Sequence, residues 1–247
     1  MRISVIVPVY NEEKTIAQVL ESLTRVPLDL EVVVVDDAST DRTWQILEQL
    51  RQQPPFDGYQ YVRHVRNQGK GAGLRTGFQL ATGDLITVQD ADLEYDPMDL
   101  PVLVTQWHHA TSKQQKVVVY GYRDLSSQKR TTRWGNRFLT TLTNLLYGSQ
   151  IHDMETCYKL LPLALARSLP MQGRRFEIEP EITACTLLAG YTIVEVPIRY
   201  HPRTEKKLSP WKDGWPALAM LIRRRFGKPF QLSIPSPEPI SAQSPQK

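Results

Sequence analysis

The first half of the chain repeats one pattern: a short aliphatic run ends abruptly in a polar, mostly acidic cluster, and an amphipathic stretch follows. Residues 2–9 place Ile3, Val5, Ile6, Val7 and Val9 before Tyr10-Asn11-Glu12, and residues 30–35 end in Asp36-Asp37. Residues 85–89 end in Asp90-Ala91-Asp92. Short apolar runs bounded by turn residues predict buried strands, and residues 59–65 and 116–122 complete a set of five. Helices are expected between them. Asn11 stands where a cap belongs, with Glu12 and Glu13 in the first turn. Ser39, Thr40 and Asp41 precede a helix over about residues 42–53 that Pro54-Pro55 stops. A Gly-rich turn at 67–73 leads into a helix reaching about Ala81, and Pro97 opens another.

Strands alternating with helices specify an α/β fold with a mixed, mainly parallel central sheet flanked by helices. Ligands of such sheets bind at the carboxyl ends of the strands. The clusters at 10–12, 36–41, 67–71 and 90–94 all follow strands, so they are expected to converge on one sheet edge. The second half is less regular. It predicts helices at 131–146, 178–189 and 216–226, a polar loop at 148–159 and a strand at 191–200. Residues 1–228 form one expected domain; the Pro/Ser-rich residues 229–247 read as a disordered tail.

A chain of 247 residues can bury a core without disulfide or metal staples. Its 41% hydrophobic and 23% charged residues exclude wholesale disorder, collagen-like repeats and disulfide scaffolds. Two cysteines, Cys157 and Cys185, suit a reducing compartment and offer no zinc site. The opening MRISVIVPVYNEE has neither signal- nor transit-peptide character, and no apolar run approaches a spanning helix. A soluble or peripheral protein on the cytoplasmic face of a membrane is expected. Positive charge is concentrated late: between Arg203 and Lys228 eight Lys/Arg face two acids, whereas the whole chain is only +4. That segment points to an anionic partner such as phosphate or a membrane surface, or to a solvated helix end. It lacks an aromatic platform spread over a sheet, so nucleic acid is not expected.

Asp90-Ala91-Asp92, with Glu94 following, supplies hard oxygen ligands suited to Mg²⁺ or Mn²⁺. The same carboxylates would serve as an acidic turn capping the helix at Pro97. Asp37 can accept a hydrogen bond from a nucleobase N–H or cap the helix at Arg42. Tyr10 can pack on a base or in the core. Gly69-Lys70-Gly71-Ala72-Gly73 fails both phosphate-loop patterns: Gly71 stands where GxxxxGK[ST] needs Ser or Thr, and Leu74 where GxGxxG needs Gly. It reads as a tight turn setting a helix N-terminus near the ligand. No GxSxG nucleophile is present, and no triad is apparent.

Taken in order and spacing, Pro8-Val9-Tyr10-Asn11-Glu12, Val35–Asp41, Asn67–Gly71 and Asp90–Glu94 resemble glycosyltransferase family 2. The dolichyl- and polyprenyl-phosphate mannose or glucose synthases are the most similar subgroup. The resemblance covers roughly residues 2–228 and extends to Gly121-Tyr122-Arg123, Arg133–Asn136 and residues 200–213. It implies a GT-A fold, a nucleotide-diphosphate sugar donor and a divalent metal. Pro8, Tyr10, Glu12, Val35, Asp37 and Ala91 would line the donor site. Asp90 and Asp92 would hold metal and diphosphate, with Glu94, a departure from the Gln of mannose synthases, as third ligand. Arg203 and Lys207 would grip the diphosphate, and Arg123 and Arg133 would face an acceptor phosphate.

An acceptor phosphate is already ionised and needs positioning, not a base. A hydroxyl acceptor would need a carboxylate base, for which Asp153 and Glu155 are the candidates. Both acceptors stay open, with the arginines and the basic segment favouring a polyprenyl phosphate. A non-catalytic nucleotide-sugar-binding subunit of a membrane complex is the reading from another class, and the intact Asp90/Asp92 pair argues against it. The basic amphipathic helix near residues 211–226 would lie on an anionic membrane or pack on its own domain. A separate membrane subunit is a further possible partner.

Overall fold

The computed structural model describes residues 1–114, 116–175, 177–203 and 210–227. Its strands are β1 (Ile3–Val9), β2 (Leu30–Asp36), β3 (Gln60–Arg63), β4 (Leu85–Val88), β5 (Val117–Arg123), β6 (Lys159–Pro162) and β7 (Thr192–Ile198). The helices are α1 (Ile16–Thr24), α2 (Thr43–Leu50), α3 (Lys70–Leu80), α4 (Leu100–Thr111), α5 (Arg130–Tyr147), α6 (Leu163–Ser168), α7 (Ile178–Leu188) and α8 (Pro210–Phe226). The strands form one sheet in the order β3-β2-β1-β4-β6-β5-β7. Parallel pairing joins β3, β2, β1 and β4, and also β5 and β7; β6 alone runs antiparallel to both of its neighbours.

The aliphatic runs are continuous because both sheet faces are covered. Ile3, Val5, Val7 and Val9 of β1, with Val32 and Val34 of β2, point into a layer containing Ile16, Leu20, Leu47 and Leu103. Their neighbours Ile6, Val33 and Val35 point the other way, against Leu74, Phe78, Leu165 and Ile182. At the amino ends of the strands a buried carboxylate ties three segments together. Glu31 accepts hydrogen bonds from Ser4 Oγ (2.5 Å), Thr82 N (2.6 Å) and Thr82 Oγ1 (2.6 Å). Burial alone would raise its pKa, but these donors outweigh it and hold the carboxyl below its ordinary value.

Three expectations need correction. Residues 11–15 form a turn, with Asn11 at φ 53°, and α1 starts only at Ile16. Asn11 trades hydrogen bonds with the 39–40 turn instead of capping: its amide N–H donates to Ser39 Oγ, and Thr40 N donates to Asn11 Oδ1. The expected polar loop at 148–159 is largely buried, with Ile151, Asp153, Met154, Thr156, Cys157 and Tyr158 inside, and it ends in β6. The last helix begins before Pro216, which lies within it. The expected tail at 229–247 lies outside the described residues.

Helix α3 lies close to the sheet. A Cβ added at Gly77 would sit 2.3 Å from Cγ2 of Ile6, which is fully buried in β1. Gly77→Ala is therefore expected to lower the denaturant midpoint, the overpacking cost of about 1–3 kcal/mol exceeding the gain in helix propensity. An unchanged or raised midpoint at constant m would show that α3 can back away from the sheet.

Candidate active site

The strand-end clusters do converge. They border a cleft of about 660 Å³ whose lining includes Pro8, Tyr10, Glu12, Asp37, Asp90 and Asp92. Ala91, Glu94, Arg123, Glu155 and Arg203 border it too. β1, β2 and β4 supply one side through their carboxyl ends, as a parallel sheet requires. The inner faces of α5 and α8 supply the opposite side, through residues such as Asn136, Leu139 and Ala217.

Asp90 follows β4, and its carboxylate meets Lys70 at the first turn of α3: Lys70 Nζ lies 2.8 Å from Asp90 Oδ1. The same ammonium lies 3.1 Å from Glu179 of α7, and Glu179 pairs in turn with Lys159 of β6. Burial would lower the Lys70 pKa, but Asp90 and Glu179 outweigh it and hold the amine charged. Glu179 is likewise held below the ordinary carboxylate range, burial being outweighed by Lys159 and Lys70. Lys70 belongs to the 67–71 cluster expected at this edge; Glu179 and Lys159 are site residues that the sequence reading does not name. The acid-rich start of the 178–189 helix was the available signal.

The glycines of the 69–73 turn have a steric role. Gly69 adopts φ 90°, and a Cβ there would meet Arg174 O at 2.1 Å; one at Gly71 would meet Gly173 O at 2.1 Å. The 173–174 backbone thus lies against the start of α3 and accepts from Gly71 N at 2.9 Å. Asp37 takes two amides just before that helix, Gln68 N (3.0 Å) and Gly69 N (2.7 Å), and pairs with His64 Nδ1 at 2.7 Å. Its carboxylate, almost entirely buried, borders the cleft mainly as an organiser of this turn. Val35 is fully buried between the sheet and α3 and does not line the cleft.

Arg203 crosses the cleft mouth. Its guanidinium lies 3.0 Å from Glu12 Oε2 and 3.5 Å from Asp92 Oδ2. Glu94, expected as a third metal ligand, holds this segment instead: Tyr200 OH donates to Oε2 at 2.8 Å and Arg203 N to Oε1 at 2.9 Å. Lys207 lies outside the described residues. No group of three or more His, Cys, Asp or Glu side chains converges as a metal cage among the described residues. Asp90 and Asp92 nevertheless fit a divalent ion on donor chemistry. Mg²⁺ is commonly bound through one or two carboxylates, with substrate phosphates and water completing the shell.

Arg123 and Arg133 separate. Arg123 lines the cleft, but Asp153 grips it through Nε (2.6 Å) and Nη2 (2.9 Å), and its guanidinium lies over the Tyr95 and Tyr200 rings. Burial would raise the Asp153 pKa; Arg123 and Asn136 outweigh it and hold the carboxylate ionised. Asp153 is buried and anchors Arg123, so its geometry does not suit a base. Arg133 projects from α5 beside Arg130, Trp134 and Arg137, away from the main cleft.

Glu155 differs from the other acids. It borders the cleft, and its buried Oε1 has no hydrogen-bond partner. Burial pushes the carboxyl from 4.5 up to about 7; Lys159 opposes this and Glu179 adds to it. The folded chain therefore retains a proton that the unfolded chain releases between these values. This group's stabilising contribution is full below about 4.5 and is lost as pH rises through about 7. Denaturation across that window should show a steeper fall in stability for the wild type than for Glu155→Gln. Identical pH profiles would mean that Glu155 ionises freely.

The family model described as "Glycosyl transferase family 2" matches residues 4–169. The chain is 35% identical over 106 residues to the dolichol-phosphate mannosyltransferase of Pyrococcus furiosus, covering 42% of this chain and 29% of that one. It is 32% identical over 157 residues to the undecaprenyl-phosphate 4-deoxy-4-formamido-L-arabinose transferase of Pseudomonas aeruginosa, covering 61% and 44%. The match thus spans less than half the length of either relative. In fold it is similar to Mycobacterium tuberculosis glucosyl-3-phosphoglycerate synthase, crystallised with Mn²⁺, UDP and phosphoglyceric acid. That likeness has a TM-score of 0.71 at 23% identity, over 92% of this chain and 79% of that one. The family match runs from β1 through the strand-end carboxylates to the end of α6, and the chain belongs to glycosyltransferase family 2, with the GT-A fold.

Proposed function

We propose that this glycosyltransferase moves a hexose from a nucleotide-diphosphate sugar such as GDP-mannose or UDP-glucose to a polyprenyl phosphate, inverting the anomeric carbon. The observation that carries the reading is the pairing of Asp92 with Arg203 at the mouth of a cleft that Asp90 also lines and whose other wall includes α5. Acidic strand ends suit a metal–diphosphate, and a cleft that also carries Arg123 and Leu139, with the α5 arginines on the outer face of that helix, suits a lipid phosphate. The two polyprenyl-type relatives named above support the acceptor class.

Pro8, Tyr10 and Asp37 would border the nucleoside, Asp37 through whatever acceptor capacity the 68–69 amides and His64 leave it. Asp90 and Asp92 would hold Mg²⁺ or Mn²⁺, which when bound supplies charge neutralisation for the departing diphosphate. Arg203, released from Glu12 and Asp92 as the donor enters, would add a second positive charge at the leaving group. Lys207 is proposed to assist it. The acceptor phosphate would approach from the α5 side, with Arg123 held ready by Asp153 and both tyrosine rings, and would need no base. Arg133 would act at the rim, where the lipid phosphate first arrives. A membrane surface is the proposed working location; no described helix is long and apolar enough to cross a membrane.

One observation favours a second reading. Glu155, with its raised pKa and unpartnered oxygen, suits a general base, and a base is needed only if the acceptor is a hydroxyl. The two readings part in a single assay. Purified protein with Mn²⁺ or Mg²⁺ is offered radiolabelled GDP-mannose and UDP-glucose in parallel, with polyprenyl phosphate in detergent. Label is expected in the organic phase only with metal. Asp92→Asn should lower the rate about a hundredfold or more, since neutralising the leaving group accounts for several kcal/mol. Glu155→Gln should stay within about tenfold of wild type. No lipid product from either donor would move the assignment to a hydroxyl acceptor, and so would a loss of about 10²–10⁴ in lipid-product formation by Glu155→Gln.

A further inference from the structure

Helices of a folded domain normally turn their apolar stripe inward. α5 carries a second one outward. Trp134, Phe138 and Leu145 are 73%, 48% and 80% exposed, and their spacing places them along one side of the helix. The Trp134 and Phe138 rings stack in the open, with centroids 6.1 Å apart and planes 7° from parallel. α8 repeats the arrangement: Trp215, Ile222 and Phe226 are 64%, 45% and 73% exposed at helical spacing. The two helices pack together. Tyr147 OH donates to Leu221 O at 2.7 Å, and Arg225 Nε donates to Leu146 O at 2.7 Å. Apolar surface of this extent marks an interaction site.

The charge pattern selects the partner. α5 contains three arginines and no acid. Arg130, Arg133 and Arg137 surround a small hollow with Trp134, and none is paired with an acid among the described residues. Arg223 extends the basic band on α8, where Arg224 is bound inward to Glu181. Tryptophan and phenylalanine interleaved with arginine match the interfacial layer of an anionic bilayer: rings enter the headgroup region and guanidinium groups reach lipid phosphates. The inner sides of these same helices line the cleft, so a docked chain would hold the cleft about one helix diameter, roughly 10 Å, from the headgroup layer.

We infer that the outer faces of α5 and α8 form a docking surface for an anionic lipid bilayer. Trp134, Phe138, Trp215 and Phe226 enter the headgroup layer, and Arg130, Arg133, Arg137 and Arg223 contact lipid phosphates. This deepens the lipid-acceptor reading, on which its biological sense rests, but it is tested without that acceptor.

The full chain is floated with vesicles of phosphatidylcholine alone or mixed with phosphatidylglycerol, at low and high salt. Binding is expected only to the mixed vesicles, weakening with salt. Trp134→Ser combined with Phe138→Ser, and separately Arg137→Glu, should each weaken it about tenfold. The same variants should still transfer sugar to a short-chain, water-soluble polyprenyl phosphate in the absence of vesicles. Absence of flotation, or flotation equal in wild type and variants, overturns the inference. So does a concentration-dependent dimer that the Trp134/Phe138 substitutions dissolve, which would assign the face to a second copy. If docking fails while transfer to polyprenyl phosphate persists, only this inference falls. If docking holds while no polyprenyl phosphate accepts sugar, only the acceptor assignment falls.

Discussion

Four charges lie in a row at the base of the cleft. Lys159 holds Glu179; Glu179 and Asp90 share Lys70. The row joins β6, α7, the first turn of α3 and the end of β4, elements far apart in sequence. Lys159 and Glu179 are nearly inaccessible to water, so losing one partner would strand the other in a medium that solvates charge poorly. The row also fixes where Asp90 stands. Glycines at 69 and 71 let the 173–174 backbone close against the start of α3, so that Lys70 reaches both acids. On α7, one turn is shared with a second network. Glu181 accepts from the amides of Gln172 and Gly173 and from Arg224 of α8. The helix at the rim and the turn at the strand ends therefore rest on the same first turn of α7, through side chains on different faces.

Charge in the cleft is matched before any ligand arrives. Asp90 faces Lys70, Asp92 and Glu12 face Arg203, and Asp153 faces Arg123. A nucleotide diphosphate and its metal bring opposite charges in together, so they can exchange with these pairs without leaving a bare charge in the cleft. Glu155 is the exception. Burial pushes its carboxyl up to about 7, further than Lys159 and Arg123 pull it down.

Much of this was legible in the sequence because parallel strands buried on both faces leave an unmistakable trace. Continuous aliphatic runs at 3–9, 30–35 and 85–88 located three strands within a residue or so, and the acids behind them located the cleft. What the sequence hid was long-range. β6 is four residues long, starts with a lysine and ends with a proline, so nothing local marked it as the antiparallel strand between β4 and β5. Asp153 looked like a base because its saturation by Arg123 spans thirty residues. Glu94 looked like a ligand until the chain returned at Tyr200 and Arg203 to occupy it. The Asp37 carboxylate, spaced for a nucleobase, was found mostly occupied by the turn that begins α3. The exposed stripe on α5 was invisible because an apolar helix pattern does not reveal which side packs.

The metal would be held jointly by protein and donor: Asp90 and Asp92 each face a cation, and no group of three acids forms a metal cage among the described residues. Calorimetric titration of Mn²⁺, with and without UDP or GDP, tests this most directly. Tight Mn²⁺ binding should appear only in the presence of the nucleoside diphosphate and should disappear in Asp92→Asn. Equally tight Mn²⁺ binding without nucleotide would contradict the account. So would nucleotide binding that is indifferent to both metal and Asp92.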